Sequence, residues 1–438
     1  MPASPSTARA INDRLALRLL QQEGALTAGQ LKQLTGLSRP TVADLVERLT
    51  AAGLVAVVGE SGEQRRGPNA RLYGIVADRA RLAALDVRTE GVSVLVSDLV
   101  GDVLAEASVP IGGDIGTGLA VERAVALVER TAEEAGAPGA PPGERGPARG
   151  RLHTVGIGAP GLIDPATGDL RDSSGLPEWH RRLVAALQER LPARVIVENE
   201  TNLAAVAEQR EGAARDRDTF VLLWLGHGTG AAVVLDGALR RGASGGTGEI
   251  GFLPVPGTAT LPSATDCAGG FHSLAGAAAI AELADAHGLV TEGPAPGLRA
   301  AALVRRAVRE AEGADAAVPE GGPGAGRSGG AARGRGAGRP AASGRAAARF
   351  LDVLADRLAI GAASVTAVLD PGCVVLGGEV GQAGGEVLAA RVGERLARMS
   401  PLRTEVRASM LGGGAVLRGA LLTARDGAQD ELFAPPAR

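Results

Sequence analysis

The sequence has few of the features that mark secreted, metal-binding or membrane proteins. Its 438 residues include two cysteines, Cys267 and Cys373. They are too few for a disulfide framework, and they lack the paired spacing of a zinc site. No apolar run reaches the roughly 18 residues of a transmembrane helix, so no membrane contact is expected. The first residues, MPASPSTARAIND, contain no apolar stretch of the signal-peptide type, and we therefore expect a cytoplasmic protein.

Lysine is also nearly absent, since Lys32 is the only one and the other cations are arginines. The formal net charge of −3 is unevenly distributed. Residues 1–80 contain ten Lys and Arg against seven Asp and Glu, which leaves 36 of the 46 cations and 42 of the 49 anions for the remainder. A basic N-terminal segment on an acidic body favours nucleic-acid binding by that segment.

The pattern of residues 10–53 predicts three short helices. Thr27 suits the N-cap of the second helix, and Gly36 suits its end. Ser38 suits the N-cap of the third helix, with Pro40 at an early helical position. The third helix has one apolar face, formed by Val42, Leu45, Val46 and Leu49.

The segment LVAVVGESGEQRRGPNARLYGIV, which follows these helices, predicts two strands joined by an arginine-bearing loop. Helix, helix, helix and hairpin is the order of a winged helix-turn-helix domain, which we place at residues 1–80. In such a domain the third helix enters the major groove of double-stranded DNA, and the loop reaches the minor groove or the backbone. The alternative is a small protein-interaction domain with a basic loop. The candidate DNA-binding residues are Thr35, Ser38, Arg39, Thr41, Val42, Arg65, Arg66 and Arg71.

From residue 82 onward, strand-like runs alternate with helical patterns, which predicts a mixed α/β body. Two segments interrupt that pattern. The stretch GAPGAPPGERGPARG predicts an exposed loop. Residues 313–348 are rich in glycine, alanine and arginine, and this composition predicts a disordered or flexible insertion.

The body resembles the ROK family (repressors, open reading frames and sugar kinases) over about residues 82–425. Five segments carry the resemblance in the family's order: LAALDVRTEGVSVLVSDLVG, VGIGAPGLIDPATGDL, VIVENETNLAAVAE, LGHGTGAAVVLDGALRRGASGGTGEIGF and VLDPGCVVLGGEV. The resemblance implies a two-lobed actin/hexokinase-like (ribonuclease H-like) ATPase-type fold. The first lobe would comprise residues 81–198 with about 415–430, and the second residues 199–414. A winged helix in front of this body distinguishes the family's regulators from its kinases.

The kinase chemistry that the resemblance implies is incomplete here. Family kinases have a small turn that approaches ATP phosphates, but Arg88 replaces a glycine of that turn, and Glu90 adds negative charge. Their catalytic base is an aspartate after an asparagine, whereas Glu200 follows Asn199 in this sequence. The longer side chain displaces the carboxylate by about an ångström, a scale at which catalysis suffers. We therefore expect no enzymatic activity, no catalytic residues and no cofactor.

The resemblance also implies a structural zinc site in many relatives and a sugar pocket. Phe252 replaces the zinc-binding histidine, and Cys267 with His272 cannot complete a tetrahedral site, so we expect no metal. The pocket is partly kept. Its candidate ligand-binding residues are Asn199, Glu200 and Glu249. Gly175 and Ser273 stand where relatives have further sugar contacts.

These observations leave three hypotheses. The first is a transcriptional regulator, in this family most often a repressor, that controls carbohydrate-related genes in response to a sugar or sugar-derived effector. It would act as a homodimer or homotetramer on a palindromic operator. The second is a constitutive DNA-binding regulator or scaffold with a vestigial pocket. The third is a sugar kinase with an added regulatory domain. A ligand response separates the first two, and ATP-dependent turnover would identify the third.

Overall fold

The computed structural model describes residues 5–61, 70–112, 115–136, 151–171, 178–191, 193–263, 268–290, 296–316 and 338–434. The chain divides into two compact units. The first comprises Met1–Pro160, Leu176–Glu198 and Ala420–Arg438, and the second comprises Gly161–Gly175 and Asn199–Gly419. The N-terminal head and the first part of the body thus fall in one unit, and the division of the chain into three domains stays a prediction.

The head has the winged helix-turn-helix order that the sequence predicts. Its elements are α1 (Pro5–Glu23), β1 (Leu26–Thr27), α2 (Ala28–Thr35), α3 (Arg39–Ala51), β2 (Val55–Ser61) and β3 (Ala70–Ile75). The strands form an antiparallel sheet in the order β1-β3-β2. Thr27 and Gln30 form a reciprocal capping box at the start of α2, and Gly36 ends that helix with φ +70°. The capping signals in the sequence therefore set both helix boundaries.

The rest of the first unit is built on a five-stranded sheet in the order β6-β5-β4-β7-β8. Its elements are β4 (Arg81–Arg88), β5 (Gly91–Asp98), β6 (Val103–Pro110), α4 (Thr117–Glu134), β7 (Leu152–Ala159), α5 (Trp179–Arg190) and β8 (Arg194–Asn199). Strands β4, β5 and β6 form an antiparallel meander, and β7 runs parallel to β4. Strand β4 is buried along six successive residues, as expected for a central strand with both faces covered.

The second unit repeats this topology with the sheet order β11-β10-β9-β12-β13. Its elements are α6 (Glu200–Glu211), β9 (Phe220–Leu225), β10 (Thr229–Leu235), β11 (Ala238–Arg240), α7 (His272–Ala275), α8 (Ala277–Ala286), α9 (Pro296–Ala316), α10 (Gly338–Leu369), β12 (Cys373–Gly377), α11 (Gly378–Met399) and β13 (Glu405–Ala408). The last helix, α12 (Ala415–Leu432), begins in this unit and ends in the first. The repeated mixed sheet and the winged helix confirm the fold class expected from the sequence.

The prediction of a disordered or flexible insertion at residues 313–348 is partly wrong. Helix α9 continues to Ala316, and α10 begins at Gly338, while 317–337 lie outside the described residues. Ala347 is completely buried and belongs to the core that Phe350 and Leu354 share. Low sequence complexity conceals this packing because alanine at helical spacing lets two helices approach closely without a conspicuous apolar pattern. Within the described ranges, no helix is long and apolar enough to cross a membrane.

Candidate DNA-binding and ligand-binding sites

The turn between α2 and α3 is fixed by its own hydroxyl groups. Thr35 donates its hydroxyl to the carbonyl of Leu31 at 2.6 Å and accepts from the amide of Leu37 at 3.3 Å. Ser38 is the N-cap of α3 and accepts from the amide of Thr41 at 3.3 Å, and the two hydroxyl oxygens are 2.7 Å apart. Thr35, Ser38 and Thr41 therefore shape the start of the recognition helix.

The first turns of α3 present a mixed surface. Arg39 is exposed and Thr41 is half-buried, whereas only 2% of Val42 is exposed, in the core of the head. The prediction that the Val42 side chain faces base edges is therefore wrong, because this side chain lies on the buried face of the helix. Ala43 and Asp44 are exposed as well; the sequence suggests Asp44 as a further base contact, whereas sequence reasoning misses Ala43. Helical spacing places Ala43 four residues after Arg39, on the same face.

Helix α3 is anchored to α1 by an ion pair. The Arg48 guanidinium donates to both oxygens of Asp13, at 2.6 and 3.4 Å, and also pairs with Asp44 on its own helix. The hydrogen bond to Asp13 is the main cause of the raised pKa of Arg48. Arg48 thereby orients the recognition helix on the scaffold of the head, because its planar guanidinium holds two carboxylates in fixed directions.

The wing consists of β2 and β3, which pair with a bulge between Val57 and Gly59. Arg71 is exposed on β3, opposite Glu60 of β2. The loop arginines Arg65 and Arg66 lie outside the described residues. The described part of the wing therefore presents one of the three predicted arginines.

The predicted ligand-binding residues of the second unit surround the start of α6. Asn199 is the N-cap of this helix, and its side-chain oxygen accepts from the amides of Thr201 at 2.9 Å and Asn202 at 3.3 Å. Its side-chain nitrogen donates to the carbonyl of Gly161 at 2.9 Å. Asn199 thus joins the helix to the segment after residue 160, and these structural bonds engage both ends of its amide. Glu200 follows as the first residue of the helix and is half-buried.

Glu249 differs from Asn199 because no described residue donates to its carboxylate. The side chain remains accessible, while its surroundings withdraw enough water to raise the pKa of the carboxyl group. Its Cγ and the side chain of Leu162 both lie 3.6 Å from the position that a Cβ at Gly246 would occupy. A recessed carboxylate with open acceptor sites suits a ligand that brings its own hydroxyl donors.

Close backbone packing forms a cradle beside Glu249. A Cβ at Gly248 would lie 1.9 Å from the carbonyl oxygen of Ala231, and one at Gly245 would lie 2.0 Å from that of Ile163. The Gly248 carbonyl accepts from the Ala231 amide at 2.7 Å. The glycines in GASGGTGEIG therefore do more than make a turn: they allow the loop to lie directly on β10 and on residues 161–163.

The same cradle carries two buried threonines that the sequence analysis did not single out. Thr229 is 8% exposed, and its hydroxyl oxygen is buried with no hydrogen-bond partner among the described residues. That oxygen lies 3.2 Å from the position of a Cβ at Gly251. Thr201 is 7% exposed, and its hydroxyl faces Gly230. The alternating pattern of a strand could have suggested the burial of Thr229, but not its lack of a partner.

The glycine turn between β9 and β10 corresponds to a phosphate-binding turn in the kinases that the body resembles. Here the Glu379 carboxylate lies 2.6 Å from the position of a Cβ at Gly226. Gly297, at the start of α9, packs against the backbone of His227. A Cβ added at Gly297 would lie 3.1 Å from the amide nitrogen of His227. The carboxylate of Glu379 and the covering helix α9 both disfavour phosphate at the turn between β9 and β10. In the first unit, at the other phosphate turn, Arg88 pairs with the buried Asp86 at 3.0 Å.

The residues that would hold zinc in relatives do not fit a metal here. Phe252, which replaces the zinc-binding histidine, is exposed, His272 is half-buried, and Cys267 lies outside the described residues. Within the described ranges, no group of three or more potential ligands is placed to hold a metal ion. The ring of Phe271 instead packs onto α10, 2.5 Å from where a Cβ at Gly361 would be. Aromatic packing therefore anchors this loop.

Comparison with known proteins agrees with this geometry. Residues 145–323 and 339–426 match the model of the ROK family. The chain belongs to the ROK family. Residues 11–67 match the model of the MarR family, which places a DNA-binding winged helix before the ROK body.

The relatives of this ROK protein include regulators. The chain is 27% identical over 247 residues to the xylose repressor of Caldicellulosiruptor bescii, covering 56% of this chain and 59% of that one. It is 26% identical over 247 residues to the DNA-binding transcriptional dual regulator NagC of Escherichia coli, covering 56% and 57%. The chain thus spans less than two thirds of these relatives.

A solved ROK family transcriptional regulator, a homologue of the Escherichia coli MLC protein, superimposes with a TM-score of 0.69. The match covers 97% of this chain and 98% of that one, at 18% sequence identity. Identity at this level supports the shared fold, and the similarity extends over the head as well as the body.

Proposed function

We propose that this ROK protein is a transcriptional repressor that binds a palindromic operator as a homodimer or homotetramer and responds to a sugar or sugar-derived effector. It controls carbohydrate-related genes and has no kinase activity. One observation carries the proposal: the same chain has a capped recognition helix, α3, in its N-terminal head and a carboxylate with open acceptor sites, that of Glu249, in its body. The xylose repressor among its relatives combines a sugar with repression in its name.

DNA binding is supported by the surface of the head. Residues 1–80 carry ten cations against seven anions, and Arg39 is exposed at the N-terminal end of α3. Thr35, Ser38, Thr41 and Arg71 are further proposed contacts to bases or phosphates. Arg65 and Arg66 stay in the proposal on their sequence alone. Val42 is excluded, since its side chain is buried.

The absence of kinase activity is supported in both units. Glu200 stands where family kinases have an aspartate base, and its extra methylene moves the carboxylate. Arg88 occupies the first phosphate turn and is held there by Asp86. Glu379 brings a carboxylate to the second turn. A substitution that removed one of these three obstacles to kinase activity would leave the other two in place.

A route from the ligand site to the head is supported by helix α12. At its start, Gly419 packs directly on the carbonyl group of Leu203 in α6. A Cβ added at Gly419 would lie 2.0 Å from the carbonyl oxygen of Leu203. At its end, Gln429 donates to the side chain of Gln21 in α1 at 2.7 Å. Arg14 of α1 pairs with Asp430 at 3.1 Å. The helix that packs on the ligand-site element therefore also contacts the DNA-binding head, and differential affinity of effector and operator for two states would couple the sites.

A constitutive regulator with a vestigial pocket is the second candidate. It is favoured by Asn199, whose amide oxygen caps α6 and whose amide nitrogen donates to the carbonyl of Gly161. Glu249 and Thr229 argue for the responsive regulator, because their polar atoms have no described partner.

The test is to map the genomic sites of the purified protein by footprinting, with and without a pool of sugars. Protection of discrete palindromes that the pool releases supports the responsive repressor. Protection that the pool leaves unchanged supports the constitutive regulator. Absence of specific protection refutes both.

A further inference from the structure

The head is joined to the rest of the first unit by a short ordered connection. Residues 76–80 link β3 to β4, contain neither glycine nor proline, and include a single 3₁₀ turn. The amide of Val76 donates to the carbonyl of Leu54 in the head at 2.9 Å, and the carbonyl of Ala77 accepts from the amide of Leu99 at 3.0 Å. This connection therefore differs from a flexible linker rich in glycine and serine, which leaves the domains that it joins free to reorient.

A second contact between the head and the body is made by Gln21, near the C-terminal end of α1. Its Nε2 donates to the carbonyl of Val100 at 3.0 Å, and its Oε1 accepts from Nε2 of Gln429 in α12 at 2.7 Å. Nε2 of Gln429 also donates to the carbonyl of Leu99 at 3.2 Å. Two half-buried amide side chains thus join α1, α12 and the turn between β5 and β6.

The turn that receives Gln21 is itself fixed. One carboxylate oxygen of Asp98 accepts from the amides of Val100 at 3.0 Å, Gly101 at 2.9 Å and Asp102 at 3.0 Å. The side chain of Leu99 is fully buried. Because an aspartate that bonds the following backbone amides holds its turn in one shape, Gln21 ties α1 to a rigid edge of the five-stranded sheet.

The position of α1 determines the direction of the recognition helix, because Asp13 of α1 holds the Arg48 guanidinium of α3. Arg14 of α1 also pairs with Asp430 of α12 at 3.1 Å, but the two side chains are 42% and 65% exposed, and an exposed ion pair contributes little. The half-buried amide pair is therefore the main side-chain restraint that keeps α3 at one angle to the body.

We propose that Gln21 and Gln429 are positioning residues that set the spacing of the operator half-sites that the protein accepts. The inference rests on the proposed function, in which two copies of the chain bind a palindrome. Heads fixed to their bodies hold two α3 helices at one separation. Each base pair added between the half-sites moves the second half-site by about 3.4 Å and turns it by roughly 35°. A rigid pair of heads cannot follow this change, whereas heads held only by residues 76–80 adjust to it.

The test measures operator affinity as a function of half-site spacing. Duplexes carry the footprinted palindrome with its spacer unchanged or altered by about one to three base pairs, and binding to the full-length protein is followed by fluorescence anisotropy. The wild-type protein should bind every altered duplex at least about tenfold more weakly than the natural one, because only one head engages at a time. Gln21→Ala and Gln429→Ala should each bind the altered duplexes within about threefold of their own affinity for the natural duplex.

Gln22→Ala is the matched control, because Gln22 is the adjacent glutamine of α1 with an exposed side chain, and this variant should keep the wild-type spacing profile. A duplex with a single half-site is the second control. The wild-type protein and all variants should bind it equally, since it engages one head. A purely structural role of Gln21 would weaken binding at every spacing alike and leave the profile unchanged. That result, or a wild-type protein that tolerates every spacing, overturns the proposal.

Failure of this inference and failure of the proposed function give different results. A wild-type protein that binds the palindrome equally well at all spacings refutes only the positioning role of the two glutamines. A wild-type protein without specific affinity for any palindrome refutes the proposed function itself. The two failures are therefore distinguishable.

Discussion

The side chain of Glu208 holds the far end of α6 in place and offers a quantitative test of the structure. It is completely buried, and its carboxylate accepts from the amide of Ala213 at 2.7 Å. It also accepts from the hydroxyl of Ser409 at 2.5 Å and the amide of Leu411 at 3.2 Å. Two segments of the second unit, one at Ala213 and one at 409–411, are thus tied to one carboxylate of α6, the helix that Asn199 caps.

Glu208→Ala should destabilise the protein by about 3–5 kcal/mol. Each hydrogen bond to a buried charged group contributes roughly 1.5–3 kcal/mol, and the donors left behind would be unsatisfied. The estimate stays below the full sum of about 4.5–9 kcal/mol for three such bonds, because a water molecule entering the cavity recovers part of the loss. For about 200 residues this corresponds to a melting temperature lower by roughly 6–20 °C. Glu208→Gln should lose about half as much, since it keeps one acceptor oxygen.

The assay is thermal and denaturant unfolding followed by circular dichroism. Glu312→Ala is the matched control, because Glu312 is an exposed glutamate on α9 in the same unit, and it should change stability by less than about 0.5 kcal/mol. If Glu208→Ala costs less than about 1 kcal/mol, the carboxylate does not hold these segments together.

Three further predictions concern the head, the buried histidine and the lost chemistry. Arg39→Ala should weaken operator binding by about 1–3 kcal/mol, a roughly 5- to 150-fold loss in anisotropy titrations, while Arg305→Ala on the exposed body surface should not. Burial lowers the pKa of His180 to about 4, so the unfolded chain takes up its proton first and stability should fall as the pH drops from about 6.5 to 4, by about 3 kcal/mol. His180→Phe should remove that part of the pH dependence, and an identical profile for the two proteins would contradict the assignment. Glu200→Asp should yield no ATP-dependent phosphorylation of any sugar, because Arg88 and Glu379 still disfavour phosphate, and turnover above background would refute this explanation.

The sequence predicted the head closely because local signals determine it. Thr27, Gly36 and Ser38 are caps whose side chain or backbone conformation acts within three or four residues. Val42 shows the limit of this approach. Its position at the start of the recognition helix suggested a DNA contact, whereas its place on the apolar face of the same helix put it in the core. The apolar periodicity of the helix therefore predicts the location of the Val42 side chain better than its position at the helix start does.

The ligand site was less predictable because it depends on long-range packing. The resemblance to a family pointed to Asn199 and Glu249, but only the structure distinguishes a capping amide from a carboxylate without a partner. The unpartnered hydroxyl of Thr229 has no signature in the sequence, since a threonine in a strand ordinarily packs or meets water. The helical start of α10 was hidden by glycine and alanine composition.

The central claim is that one chain couples sugar binding to operator release. The most direct measurement is the affinity of the full-length protein for a footprinted operator, titrated with a sugar or sugar-derived compound from the effector pool that binds the protein, in wild type and in Glu249→Gln. We predict that the sugar weakens operator binding by the wild-type protein at least tenfold and that Glu249→Gln binds the operator normally but loses this response. An operator affinity that the bound sugar leaves unchanged in the wild-type protein would contradict the account.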